Sequence, residues 1–285
     1  MERTHGSLWA GERARLQHAP EAAGTGARYG QFVTFARGMQ TLPDRLAEQV
    51  WSRGGTWLRR RAERLARHDR HWRLTLTRQG GEVESLDASA VILATPAAPA
   101  AVLLAGVDPA LAADVAGIPY AGSVIVSLGF RREAVRHPLD AAGLVVPRTA
   151  GRRALAVSFS SSKFPERAPP GCVLMRIFLG GALDPDAVGL HDEALTRLAV
   201  GEVSDLLGTS GEPLLVQINR WDSAMPQYHV GHAERVSRIE AAVGRHEGLS
   251  LAGGAYRGVG IPQVIGSGQQ AAEAVLSTVG AAQAR

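Results

Sequence analysis

The residues of this sequence that are best suited to chemistry are six glycines near its C-terminal end. They follow a predicted strand, Leu249–Ala252, and accompany a predicted helix that opens at Pro262; they are Gly253, Gly254, Gly258, Gly260, Gly266 and Gly268. A glycine-rich turn that leads into a helix presents unpaired backbone N–H groups and the positive end of a helix dipole. This geometry accepts an anion and lets a flat or phosphorylated ligand approach the backbone. The same glycines also suit tight packing between strand and helix, and spacing alone leaves both interpretations open.

The elements upstream of this turn follow from hydrophobic periodicity. Residues 1–34 predict a short helix and a loop, and helices are predicted within 38–55 (with Leu42, Leu46, Val50 and Trp51 at helical spacing), at Ala100–Ala116 and at His191–Leu207. Strands are predicted at Thr56–Leu58, Trp72–Thr77, Val91–Leu93, Ser123–Phe130, Gly143–Val146, Leu155–Ser160, Cys172–Leu179 and Leu214–Trp221. This order predicts an α/β protein whose middle part has α+β character and a mixed sheet.

Several long blocks of the sequence resemble one family of flavoenzymes, the oxygen-dependent protoporphyrinogen and coproporphyrinogen oxidases. The C-terminal blocks are "RWDSAMPQYHVGH" (220–232) and "LSLAGGAYRGVGIPQVIGSGQQAAEAV" (249–275). The earlier blocks are "GMQTLPDRLAEQV", "ASAVILATPAAPAAVLL", "GIPYAGSVIVSLGF" and "FSSSKFPERAPPGCVLMRIFLGGALDP". The resemblance covers nearly the whole chain and separates it from other amine-oxidase-like flavoproteins.

The resemblance implies an FAD enzyme that oxidises a porphyrinogen, either protoporphyrinogen IX or coproporphyrinogen III. Electrons would pass to O2 with release of H2O2, and the product would be a haem precursor. The flavin would carry the chemistry by accepting hydride, so no catalytic acid or base of the protein is expected. The helix at Pro262 would direct its dipole at the flavin and favour its reduced, anionic form.

Matching motif positions imply which residues contact cofactor and substrate. Those expected against the flavin are Gly254, Gly258, Val259, Gly260, Ile261 and Trp221. Those expected to line the substrate pocket are Val145, Ser158 and Phe178. Ser158 departs from the aliphatic residue usual there, which predicts either a more polar pocket or a strand register shifted by one residue.

The main departure from the family is the βαβ unit that binds the FAD pyrophosphate. Its Gly-x-Gly-x-x-Gly turn has no match here, and the string Gly24–Gly30 has the wrong spacing. We therefore expect an incomplete FAD-binding part (35–100 and 247–285) interleaved with a substrate-binding part (101–246), and a remnant of the substrate region at 1–34. The resemblance to a C-terminal portion predicts that this chain alone binds FAD weakly or not at all.

Two other functions stay open at this stage. The chain could be a non-catalytic interaction subunit that needs a companion chain supplying the dinucleotide-binding half, or part of another amine-oxidase-like flavoprotein. Porphyrin binding without flavin would favour the first, and preference for an amine or a carotenoid the second. The family resemblance also implies a cytoplasmic location, with peripheral contact at the cytoplasmic membrane as a further expectation.

Composition excludes several partners. The 285 residues carry a formal charge of +4, but Lys163 is the only lysine, and the densest basic run, Arg59 to Arg67, is interleaved with Glu63. Without aromatic stacking residues this run predicts a solvated face and no nucleic acid. Cys172 stands alone, which excludes an internal disulfide and a cysteine-based zinc site.

One apolar stretch is long enough to cross a bilayer. Residues 88–107 are uncharged, but Pro96 and Pro99 lie in the middle. Because proline breaks a helix, we expect a buried strand, a turn and a new helix instead.

Other side-chain groups have ordinary structural explanations. His229 and His232 lack a third ligand at zinc-like spacing, so no metal is expected. Asp184 and Asp186 around Pro185 predict a turn and a helix start. Arg220 could meet a flavin or propionate charge, although a structural ion pair is the commoner role.

Overall fold

The structure is a computed structural model that describes residues 6–7, 33–164 and 166–283. The helices are α1 (Thr41–Ser52), α2 (Ala97–Leu104), α3 (Pro109–Ala116), α4 (Ser160–Lys163), α5 (Asp192–Leu207), α6 (His232–Val243) and α7 (Ile261–Gln283). The strands are β1 (Arg61–His68), β2 (His71–Thr77), β3 (Val83–Ala88), β4 (Val91–Leu93), β5 (Tyr120–Arg131), β6 (Gly143–Val145), β7 (Ala156–Phe159), β8 (Cys172–Gly180), β9 (Leu215–Pro226) and β10 (Leu249–Leu251).

The chain divides into two compact units. The first unit lies within 1–47, 125–179 and 191–218, and the second unit within 48–124, 180–190 and 219–285. Nearly all of the predicted helix and loop at 1–34, and the string Gly24–Gly30, lie outside the described residues.

The core of the second unit surrounds a parallel pair of short strands. β10 pairs with β4, placing Leu249 opposite Val91 and Leu251 opposite Leu93. Apolar residues of α2, α3 and α6 pack in the same buried cluster. Such apolar strands suit a parallel pair because both of its faces are normally covered. The stretch 88–107 thus forms a strand, a turn and a helix as predicted.

The first unit contains an antiparallel ladder of three strands. β6 pairs with β7 and β7 pairs with β8. These strands belong to a five-stranded sheet of order β6-β7-β8-β5-β9. Alternate residues of β7 and β8 are buried, which leaves one face of this ladder partly open.

Two predicted elements are wrong. The segment Thr56–Leu58 is not a strand; the strand begins instead at Arg61, where pairing with β2 buries Leu65. The single helix predicted at Ala100–Ala116 is two helices, because the Asp108 carboxylate accepts hydrogen bonds from the second helix's first backbone N–H groups. Asp108 therefore caps the N-terminus of a separate second helix, a position that aspartate favours.

The basic run leads into strand β1, where Arg61, Arg64 and Arg67 are exposed, as the predicted solvated face requires. Arg60 is paired with Glu84 at 2.5 Å, Arg61 with Glu63 at 3.2 Å, and the Arg67 guanidinium lies 5.1 Å from the centroid of the Trp72 ring. None of the described helices combines the length and the apolar character that crossing a bilayer requires.

Candidate functional site: a braced glycine loop and an open sheet face

The glycine loop, Gly253–Gly260, is held by two side chains at the start of α6, Tyr228 just before the helix and His232 at its first position. The Tyr228 hydroxyl donates a hydrogen bond to the carbonyl oxygen of Gly254 at 2.5 Å and accepts one from the backbone N–H of Gly258 at 2.9 Å. One phenol therefore closes the two ends of a five-residue turn.

The second brace is the imidazole of His232. Its ring stacks on Tyr228 with centroids 4.0 Å apart, and its Nε2 lies 2.8 Å from the carbonyl oxygen of Tyr256. Because a carbonyl can only accept, Nε2 must carry the hydrogen. Alternate backbone groups at Gly254, Tyr256 and Gly258 are thus fixed by two stacked rings.

The loop conformation itself requires glycine at one position. Gly258 has φ of +139°, and a Cβ there would lie 2.7 Å from Cγ of Gln263. Both the backbone angle and the packing of Gln263 exclude a larger residue. At the other end of the loop, Gly253 donates its N–H to the Ser267 hydroxyl at 3.0 Å.

Helix α7 begins directly after the loop and leaves apolar residues open at its N-terminus. Val259 and Ile261 are each 49% exposed, and the first helical bond runs from the N–H of Val264 to the carbonyl of Gly260. The N–H groups before Val264 point out of the helix end, as at any helix N-terminus. Half-exposed apolar side chains beside such N–H groups suit a flat ligand that carries negative charge, which fits the pyrimidine end of a flavin.

Trp221 lies on β9 rather than in the loop. Trp221 is 53% exposed. The backbone carbonyl oxygen of Trp221 lies close to Gly122, and a Cβ added to that glycine would be 3.3 Å from this oxygen. Four of the six predicted flavin residues thus lie in the glycine loop, and a fifth, Ile261, is the first residue of α7. The contact of Trp221 with a flavin stays a prediction.

The three predicted substrate residues share one face of the β6-β7-β8 ladder. Val145 pairs with Ala156, and Ala156 pairs with Phe178. Ser158, two residues further along β7, points to the same side because side chains alternate along a strand. We call this surface the Val145 face; its residues are Gly143, Val145, Ala156, Ser158, Arg176 and Phe178.

The pairing of β7 shows which way Ser158 faces. Val157 and Phe159 are buried at 1% exposure on the opposite side, whereas Ser158 is partly open. A shift of one residue would turn every side chain of the strand over. Ser158 therefore belongs to the Val145 face, and this face is more polar than the aliphatic pattern predicts.

Arg220 contacts backbone carbonyls. Its guanidinium donates to the carbonyl oxygens of Leu190 at 2.6 Å and Val188 at 3.3 Å. These contacts support a structural role for Arg220 in the second unit. Asp184 and Asp186 accompany a 3-10 helix, Pro185–Gly189, as predicted.

His229 and His232 make separate structural contacts. His232 begins α6, whereas the backbone of His229 accepts a hydrogen bond from the N–H of His232. Among the described residues, no three His, Cys, Asp or Glu side chains are placed to hold a metal ion.

A cavity of about 580 Å³ lies between α6, β10 and α7 in the second unit. Tyr256 lines this cavity and is only 8% exposed. The Tyr256 hydroxyl has no hydrogen-bond partner among the described residues. Burial raises the pKa of this phenol above its ordinary value. The cavity also runs along β10, which within the described residues pairs only with β4.

Comparison with known families matches nearly the whole chain. The family model described as "Flavin containing amine oxidoreductase" matches residues 2–276. The chain belongs to this flavin-containing amine oxidoreductase family.

Relatives within the family carry porphyrinogen oxidase names. Coproporphyrinogen III oxidase of Bacillus subtilis is 29% identical over 97% of this chain and 57% of its own length. The enzyme of the same name from Propionibacterium freudenreichii is 35% identical over 92% of this chain and 48% of its own. The chloroplastic protoporphyrinogen oxidase of Nicotiana tabacum is 28% identical over 96% and 53%. The chain thus spans about half the length of these relatives.

Solved structures show the same fold. A protein of Exiguobacterium sp. 255-15, assigned as a protoporphyrinogen oxidase, superposes with a TM-score of 0.76 at 27% identity, covering 94% of this chain and 55% of that one. A putrescine oxidase variant with 15% identity superposes with a TM-score of 0.62, covering 85% and 53%. The α/β fold class predicted from the sequence is confirmed.

Sequence reasoning missed three residues of this family member's candidate site. Tyr228 and His232 are four residues apart, a spacing that suggests one helix face but not two rings that grip a distant loop. Arg176 precedes Phe178 by two residues, and strand alternation could have placed both on one face.

Proposed function

We propose that this chain forms the flavin- and substrate-contacting part of an FAD-dependent porphyrinogen oxidase in haem biosynthesis. The substrate is protoporphyrinogen IX or coproporphyrinogen III, and O2 accepts the electrons with release of H2O2. The observation that carries the proposal is the match of residues 2–276 to the flavin-containing family, together with relatives named for porphyrinogen oxidation.

The glycine loop and the start of α7 hold the flavin ring in this proposal. Val259 and Ile261 lie against its flat face, the backbone at Gly254, Gly258 and Gly260 permits close approach, and Trp221 flanks it. When bound, FAD supplies the hydride acceptor. The protein's part is to fix the loop and to favour negative charge with the N-terminus of α7.

The Val145 face holds the substrate. Val145 and Phe178 supply apolar contact for a flat macrocycle, and Ser158 adds a hydroxyl that can donate or accept. No side chain of the site is required as an acid or base in this reaction, since hydrogens leave a carbon framework as hydride and solvent-exchangeable protons.

A dinucleotide-binding segment beyond this sequence completes the proposed flavin site. The sequence has no Gly-x-Gly-x-x-Gly turn to hold the pyrophosphate. The cavity beside β10 supports a further strand there, because a parallel pair of only two strands is unusual. Either a longer form of this chain or a companion chain would supply it.

The test is an absorbance spectrum of the purified chain after addition of FAD and desalting, with and without such a segment supplied separately. We expect little flavin with the chain alone, and stoichiometric flavin and O2-dependent oxidation of a porphyrinogen when the segment is present. Absence of flavin in both samples would contradict the proposal.

A non-catalytic interaction subunit is the second candidate, favoured by the incomplete β4-β10 sheet. Porphyrin binding by this chain without turnover in any combination would support it. We further propose a cytoplasmic location with peripheral membrane contact, which fractionation of cells expressing the chain tests.

A further inference from the structure

The Val145 face contains one charged side chain, Arg176, in the middle of a strand. β8 lies between β7 and β5 in the sheet order, so Arg176 is not on an edge strand. It is exposed, whereas its neighbours Met175 and Ile177 are fully buried on the opposite side. An arginine on the open face of an interior strand is either hydrated or available to bind a ligand.

The surroundings of Arg176 direct its guanidinium over an aromatic ring. The guanidinium carbon lies 5.6 Å from the centroid of the Phe178 ring. Within the described part of the chain, no hydrogen bond or ion pair engages the Arg176 guanidinium. A guanidinium that rests on an aromatic ring retains its in-plane N–H donors for a bidentate partner such as a carboxylate.

The register arranges this face in two rows. One row is polar and runs Gly143, Ser158 and Arg176; the other is apolar and runs Val145, Ala156 and Phe178. The rows are two residues apart, roughly 7 Å along the strands. The six residues include no acidic side chain. A flat apolar ring on the second row would therefore place an acidic substituent at the first.

We propose that Arg176 binds a carboxylate on the rim of the substrate and thereby selects planar apolar acids, such as a tetrapyrrole that carries propionates, over their uncharged analogues. The Ser158 hydroxyl, opposite Arg176 in the register, contributes a donor to the same carboxylate. This inference rests on the proposed function for the identity of the ring. It assigns the acid-recognising contact to a residue of this chain.

The experiment compares acid and ester forms of one ring. Coproporphyrin III and its tetramethyl ester are titrated into the purified chain, and binding is followed by the shift of the porphyrin absorption band. We expect the acid to bind about 10-fold more tightly than the ester, in line with a hydrogen-bonded charge contact that is partly exposed.

Three variants identify the contact. Arg176→Gln should weaken coproporphyrin III binding about 5- to 10-fold and leave ester binding unchanged. Arg176→Lys should lose less affinity, because lysine keeps the positive charge but lacks the paired N–H donors of the guanidinium. The matched control is Arg197→Gln, which removes an exposed arginine on α5 of the same unit and should change neither affinity. An equal loss for acid and ester, or no loss in Arg176→Gln, would overturn the inference.

A second ring separates this inference from the proposed function. Pyrenebutyrate and its methyl ester are titrated in the same way. Arg176-dependent preference for pyrenebutyrate without porphyrin binding supports the carboxylate contact and contradicts the porphyrinogen function. Porphyrin binding that is unchanged in Arg176→Gln supports the porphyrinogen function and contradicts the carboxylate contact. Failure to bind either ring contradicts both.

Discussion

The glycine loop of the second unit and the Val145 face of the first unit position their residues by different means. In the loop, side chains of one segment hold the backbone of another, through the Tyr228 hydroxyl and the His232 ring. On the Val145 face, the strand ladder itself sets the positions, and the side chains remain open. The loop should therefore be sensitive to single atoms, whereas the face should tolerate side-chain changes without loss of fold.

We expect the largest change in stability from a single methyl group added to the glycine loop. Gly258→Ala should lower the free energy of unfolding by about 1–3 kcal/mol, because alanine is strained at a positive φ and its Cβ would press on Gln263. Gly266→Ala is the matched control. It lies within α7 with open space around it and should be neutral or stabilise by up to about 1 kcal/mol. Urea unfolding measures the free energy of unfolding of both variants. Equal changes in the two variants would contradict the expectation that the loop is sensitive to single atoms.

Removal of the Tyr228 hydroxyl is the next largest change. Tyr228→Phe keeps the stack on His232 but loses both hydrogen bonds, which should cost about 1–2 kcal/mol and increase amide hydrogen exchange at Gly258. Ser267→Ala, which removes the acceptor for Gly253, should increase exchange at that glycine instead. Residue-resolved exchange by NMR distinguishes them, and unchanged protection of Gly258 would show that the phenol does not hold the loop.

Acid should weaken the second unit through Asp108. Hydrogen bonds from the backbone N–H of Leu111 and from His246 lower the pKa of Asp108 from 3.8 to about 2. Because the folded pKa is depressed, the stabilisation is complete above pH 3.8 and is lost as the pH falls towards 2.

The Asp108 contribution can be measured directly. Asp108→Asn should cost about 1 kcal/mol at neutral pH, since the amide retains a capping oxygen but loses the charge that faces His246 and Arg245. The variant should also flatten the decline in unfolding free energy between pH 4 and 2. An equally steep decline would assign acid sensitivity to other carboxylates.

The smallest effect on stability is expected on the Val145 face. Val145 is 82% exposed, so Val145→Ala should change the free energy of unfolding by less than about 0.5 kcal/mol. The same change should weaken coproporphyrin III binding about 2- to 3-fold through lost apolar contact. Thermal unfolding and porphyrin titration together test this, and a destabilisation above about 1 kcal/mol would contradict the view that the ladder alone sets the face.

Strong local patterns predicted most elements of this fold. The strand Val91–Leu93 is purely apolar and has the predicted bounds, and α5 begins within one residue of its predicted start. The split after α2 was missed because the apolar run continues past Gly106, and the Asp108 cap is a stronger signal than hydrophobicity.

The candidate site was predictable only where it is local in sequence. Gly254 and the residues 258–261 lie together because they are neighbours in the chain. The Tyr228 hydroxyl bonds to Gly254 and Gly258, which lie 26 and 30 positions further along the chain. Hydrophobic periodicity does not indicate such a distant contact. The polar row of the Val145 face depended on the pairing of Ser158 with Arg176, which only the strand register shows.

The stacked rings of Tyr228 and His232 also provide a spectroscopic reporter. At a centroid distance of 4.0 Å and an interplanar angle of 12°, each ring lies in the shielding cone of the other. The imidazole proton resonances of His232 are therefore displaced upfield while the rings are stacked, and return to ordinary positions when they separate. A one-dimensional NMR spectrum of the unlabelled protein thus follows the closure of the glycine loop without any added ligand.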